Sequence, residues 1–68
     1  METFIFAIGQ KIRNLRKEKG MNLADLAEKI NVSIGLLSQL ERGTVSISIS
    51  LLKSISDVLG IPIASFLK

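Results

Sequence analysis

Five basic residues, Lys11, Arg13, Arg16, Lys17 and Lys19, crowd one short segment, with Glu18 the single acid among them. Five cations against one anion give that segment +4, so the rest of the chain sums to −1 within a total of +3. The chemistry open to such a cluster is electrostatic. It can neutralise a polyanion, and it can equally be a solvated helix face. Little else competes with it. There is no His and no Cys, which removes the usual zinc ligands and the common nucleophile–base pairs. Paired carboxylates can hydrolyse bonds, but a chain this small rarely encloses a water-excluding cleft. No enzyme activity, metal or cofactor is expected. With no Tyr, no Trp and three Phe, stacking on single-stranded bases is not the main function either.

The cluster needs a scaffold. The chain has 68 residues and reads as one domain over 1–68. A domain of this size buries only about 60% of its unfolded surface. Without disulfides, stability must come from an apolar core or a partner subunit. Hydrophobic residues make up 47% of the chain. Phe4-Ile5-Phe6-Ala7-Ile8 is apolar but too short to span a bilayer, and it lacks the basic lead and cleavage site of a signal peptide. The expectation is a soluble cytoplasmic protein with no membrane partner.

Periodicity predicts an all-α chain. Ile5, Ile8, Ile12 and Leu15 share one face of a first helix from Ile5 to Lys19, stopped by Gly20. Gly9, inside it, fits a close approach of another helix. Asn22 is an N-cap with Asp25 in the first turn, opening a second helix over 23–30 with Leu23, Leu26, Ala27 and Ile30 apolar. Ser33 caps a third helix to about Glu41, ended by Arg42-Gly43. Val45 to Ser50 alternates with period two, which taken alone is a strand signal. A lone strand would have nothing to pair with, and Ile49, Leu52, Ile55 and Leu59 already follow helical spacing. Ser48 therefore caps a fourth helix over 49–59. Pro62 opens a short fifth helix carrying Ile63, Phe66 and Leu67.

Only about three residues, Asn31 to Ser33, join the second and third helices, the length of the turn in a helix-turn-helix. With Leu23 as position one, Ala27 is position five, where a small side chain lets helices cross. Asn31 is position nine, in the turn, where positive φ must be accepted. Leu26, Ile30, Val32, Leu37 and Leu40 fill the apolar slots. This unit, about 23–42, resembles the phage-repressor-like (Cro/repressor, XRE) helix-turn-helix DNA-binding family. The likeness rests on Leu-Ala-Glu-Lys-Ile, Val-Ser and Leu-Leu-Ser-Gln-Leu-Glu-Arg-Gly. It extends to Ile-Arg-x-Leu-Arg-x-x-x-Gly before the unit and Leu-Gly-Ile-Pro-Ile-x-x-Phe-Leu after it, covering about Ile8 to Leu67.

The resemblance implies a compact bundle of five short helices, a lambda-repressor-like DNA-binding domain whose third helix lies in the major groove. It implies a dimer on a palindromic operator. It pairs Arg16 with Glu41 as a structural ion pair, which subtracts Arg16 from the DNA-facing charge. It assigns base reading to Ile34, Gly35, Ser38 and Gln39. Gln39 suits adenine, Ser38 several base edges and Ile34 a thymine methyl, with Gly35 offering close approach. It assigns DNA-backbone contacts to Leu23, Ser33, Arg42, Thr44 and Ser46, with helix N-termini contributing amides. Leu23 stands where relatives often carry Gln, and Ile47 where they often carry Pro.

The expected function is sequence-specific binding of double-stranded DNA by a transcriptional regulator, a repressor rather than an activator. A fused sensing domain or a toxin partner is a variant of this reading. The alternative is a helical protein-interaction module or antitoxin. It draws on the cancelling charges of Glu41 and Arg42, and on Ile34, Leu36 and Ile47 as exposed aliphatics. Dimer contacts are expected at Ile61-Pro62-Ile63, Phe66 and Leu67 or at Phe4-Ile5-Phe6, unless the domain's own core absorbs either patch.

Overall fold

A computed structural model describes residues 4–67. The domain assignment to 1–68 therefore extends beyond the described residues at both ends. The elements are α1 (Phe4–Glu18), α2 (Leu23–Lys29), α3 (Ile34–Arg42), α4 (Ile49–Leu59) and a closing 3-10 turn, Ile63–Phe66. Among the described residues there is no strand. The alternating run before α4 is its capped approach. Ser48 stays extended and its Oγ accepts from Leu51 N at 3.1 Å.

The fifth helix of the expectation is corrected to this single 3-10 turn. Ser65 N donates to Pro62 O and Leu67 N to Ala64 O, both at 3.0 Å. Four residues are too few to repay nucleation of an α-helix, and the tighter i→i+3 pattern takes over. Four other bounds shift by one residue, α1 running over Phe4–Glu18 rather than from Ile5 to Lys19. Ile30 is the C-cap of α2 rather than part of it, and α3 runs one residue further, through Arg42.

The core is built where the helices cross. Ile8 and Ile12 of α1, Leu26 and Ala27 of α2, and Leu37 and Leu40 of α3 are buried together with Ile30, Leu52, Ile55, Leu59 and Phe66. Burying each large aliphatic side chain stabilises the fold by roughly 1.5–3 kcal/mol. Leu36, Val32 and Ile47 pack against this cluster, so Leu36 and Ile47 are not the exposed aliphatics the protein-interaction reading invoked. Ile49, by contrast, lies outside the core stripe of α4, 67% exposed.

Asn31 takes φ 61 in the turn between α2 and α3. Asn adopts this left-handed conformation more readily than most residues because its short polar side chain bonds locally. The turn closes with Val32 N donating to Ala27 O at 3.0 Å. Gly9 meets the end of α3. A Cβ there would run into Leu40 O, and would lie 2.6 Å from Glu41 O. Only a bare Cα lets α1 pass so close to another helix's carbonyls.

Candidate nucleic-acid interface

The third helix has two unlike sides. Its inner side is held by α1. Arg16 Nε donates to Glu41 Oε2 at 2.7 Å, and Arg16 Nη2 to Glu41 Oε1 at 3.0 Å, a bidentate pair. Arg16 Nη1 also donates to Met21 O at 2.8 Å. Both side chains are buried. The hydrogen bonds to Glu41, with its charge and against the opposing effect of burial, raise the already high pKa of Arg16. Gln10 Nε2 donates to Glu41 O at 3.2 Å. The end of α3 is thus gripped through backbone, carboxylate and close packing at once.

The outer side presents the expected base-reading residues together. Ile34, Ser38 and Arg42 recur every four residues and form one row. Gly35 and Gln39 form the adjacent row. Ile34 is 52% exposed, Gly35, Gln39 and Arg42 are exposed, and Ser38 is half-buried. Among the described residues, the side chains of Ser38, Gln39 and Arg42 take no hydrogen bond within the chain, and their polar groups are left for an outside partner.

Charge follows the same division. Glu41 is the one acid of α3, and it is turned inward onto Arg16. Its charge does not cancel that of Arg42 on the exterior, which removes the near-neutral third helix from the case for a protein-interaction module. Arg42 itself belongs to the last turn of α3 rather than to the following loop. It stands at the far end of the row from Ile34, a rise of about 12 Å along the helix.

The expected backbone-contact residues divide. Ser33 Oγ accepts from Leu36 N at 3.0 Å and keeps its own proton to donate. The first-turn amides of α3 have no intrahelical acceptors, and no acid sits in that turn. Ser46 is exposed beyond the helix. Thr44 is occupied: its Oγ1 and its N both donate to Gln39 O, at 3.2 and 3.1 Å, closing the end of α3. Leu23 is half-buried against the core, leaving only its amide for an anion. Beside it Asn22 and Asp25 form a reciprocal capping box, Asp25 N to Asn22 Oδ1 at 2.8 Å and Asn22 N to Asp25 Oδ2 at 3.0 Å. That places a carboxylate at the mouth of α2, a poorer anion site than the mouth of α3.

The basic run of α1 divides as well. Arg16 is spent internally. Lys11 Nζ reaches Ser65 O at 2.6 Å, tying the closing turn to α1. Lys19 lies beside Gly60, at the end of α4. Arg13 and Lys17 are exposed, and neither is part of α2 or α3. Sequence reasoning missed Gln10 and the internal role of Lys11, whose partners lie far off in the chain, and the internal role of Thr44, which folds back on Gln39 O five residues earlier.

A short turn with a left-handed Asn31, a buried Ala27 at the helix crossing and an outward-facing α3 define a helix-turn-helix protein. The helix-turn-helix family matches residues 12–66, and the chain belongs to this phage-repressor-like (XRE-type) family. It is 43% identical over 61 residues to the HTH-type transcriptional regulator SinR of Bacillus subtilis (strain 168), covering 88% of this chain and 55% of SinR. The chain thus spans about half the length of that relative. Among solved structures it is similar to the clp gene regulator ClgR from C. glutamicum, with TM-score 0.91 and 40% identity, over 98% of this chain and 87% of that one. It is also similar to SinR, the master regulator for biofilm formation, in complex with DNA. There the TM-score is 0.83 and the identity 42%, over 90% of this chain and 98% of that one.

Proposed function

We propose that this chain is the DNA-reading unit of a transcriptional regulator, a repressor that binds double-stranded DNA as a dimer on a palindromic operator. The observation that carries the reading is the outer side of α3. Ile34, Gly35, Ser38 and Gln39 share it, Arg42 ends it, and the helix's acid is locked away on Arg16. Likeness to the structure of SinR in complex with DNA, over nine-tenths of this chain, supports DNA as the partner. Gln39 contacts an adenine edge and Ser38 a neighbouring base. Ser33, Arg42, Ser46 and the first amides of α3 contact phosphates. Leu23 contributes its amide only, and Thr44 contributes after giving up its bond to Gln39 O.

Dimerisation fits the dimensions. The longest extent of the chain is 29 Å, so two copies abreast match half-sites about 34 Å apart. Phe4, 58% exposed, and Leu67, 49% exposed, are the exposed large hydrophobic residues of the two expected dimer patches. Phe66, the third aromatic, is buried and belongs to the core instead. No helix among the described residues is long and apolar enough to cross a membrane, and we place the protein in the cytoplasm. A fused sensing domain or a separate protein partner belongs to the same reading.

The test is a titration of the chain into labelled mixed-sequence duplex DNA at about 50 and 200 mM salt. Each neutralised phosphate contributes a slope near −0.9 in log K against log salt. Steep salt dependence is the expected result. No binding at the lower salt would overturn the reading.

A further inference from the structure

Four of the five glycines have a reason inside the fold, and one does not. Gly9 is required by the carbonyls of α3. Gly20, Gly43 and Gly60 take positive φ at the ends of α1, α3 and α4. Gly35 sits within α3 at an ordinary helical φ, and a Cβ added to it would meet nothing within 4 Å. Neither backbone conformation nor internal packing requires a glycine there, and glycine is the weakest helix former after proline. What the bare Cα offers is space on the outside.

The residues around that space have definite chemistry. Ser38 and Gln39 are its neighbours three and four residues on, within about 5–6 Å. Ile34 stands beside it, half out in solvent. The bare Cα of Gly35 is thus flanked in the helix by an exposed aliphatic residue, Ile34, and an exposed amide residue, Gln39. On the proposed function above, we infer that this notch seats the C5-methyl group of a thymine. The methyl packs against Gly35 and Ile34 while Gln39 bonds an adjacent adenine edge. In the major groove the methyl is the one apolar group that a base pair presents. Gly35 is therefore a specificity-determining residue, reading thymine through the side chain it lacks.

The experiment pairs a protein change with a single-group change in DNA. An operator is first selected by the unaltered chain from a random duplex pool. Each thymidine of a half-site is then replaced in turn by deoxyuridine, which removes only the methyl. The unaltered chain should lose about fourfold in affinity at one position, the worth of one buried methyl-sized group. The Gly35→Ala variant should bind the thymine operator about tenfold more weakly, the cost of one mismatched base pair. It should reverse the preference at that same position, because deoxyuridine makes room for the added Cβ. Its Tm should not fall, since alanine favours the helix.

A Gly35→Ala variant that keeps the thymine preference overturns the notch. So does one that weakens every duplex alike, which would place the sugar–phosphate backbone against Gly35. Operator binding by the unaltered chain with no thymine–deoxyuridine difference also overturns the notch alone. Absence of binding to any duplex overturns the proposed function itself.

Discussion

The seam between α1 and α3 and the outer side of α3 are made from the same helix and obey opposite rules. In the seam the buried polar side chains are matched. Arg16 meets both oxygens of Glu41, Gln10 meets its carbonyl, and no buried side-chain N or O among the described residues lacks a partner. On the outer side the side chains of Ser38, Gln39 and Arg42 take no hydrogen bond among the described residues, Ile34 lies open, and nothing within 4 Å fills the space at Gly35. A helix consumed by its own fold on one side and unused on the other is built to be held rigidly while it touches something else. Substitutions in the seam should therefore cost stability. Substitutions outside should cost binding and leave stability alone.

The largest effect is expected from Arg16→Ala. It leaves Glu41 buried without its partner, a loss of about 3–5 kcal/mol, and at the marginal stability of a small domain it should unfold much of the population. Chemical denaturation of Arg16→Ala, Glu41→Ala and the paired Arg16→Met/Glu41→Leu variant measures it. The paired variant should recover most of the loss, and DNA binding by the single variants should fall in step with the folded fraction.

Gly9→Ala comes next. Its methyl must displace the carbonyls at the end of α3, an overpacking cost of about 1–3 kcal/mol. A thermal melt that moved upward, as for alanine in an open helix, would break the contrast between Gly9 and Gly35. On the outer side, Gln39→Ala should hold its Tm and lose about 1–3 kcal/mol of operator binding, with selectivity at a single base pair relaxed. Arg42→Ala should be milder. It should weaken operator and random duplex alike and reduce the salt slope by about 0.9. If Arg42→Ala changed base preference instead, the exposed row of α3 would read sequence along its whole length.

Much of the fold is legible because it rests on local rules. Asn22, Ser33 and Ser48 announce helix starts through short side chains that accept from amides three residues on. Asn31 marks the left-handed turn. The strand-like run before α4 is resolved by helical spacing, although that spacing also assigns Ile49 to the core, where the packing does not take it. The closing segment is too short for periodicity to separate an α-helix from a 3-10 turn.

The candidate site is legible in position more than in direction. Motif register brings Ile34, Gly35, Ser38 and Gln39 to one helix, but the side on which Glu41 lies depends on Arg16, far away in the chain. The reason for Gly9 depends on Leu40 and Glu41. Thr44 is assigned a DNA-backbone contact by resemblance and is a helix stop in structure. Net charge misleads most of all. The segment richest in cations, α1, spends Arg16 in the seam and turns Lys11 to Ser65.

The most direct test of the central claim is a titration of the isotopically labelled chain with duplex DNA at low salt, following backbone amide shifts by nuclear magnetic resonance. The account predicts the largest changes at Ser33 to Gln39 and at Arg42, with Ile8, Ile12 and Gly9 little moved. Changes concentrated on Arg13 and Lys17, with α3 silent, would contradict it and make the basic face of α1 the binding surface.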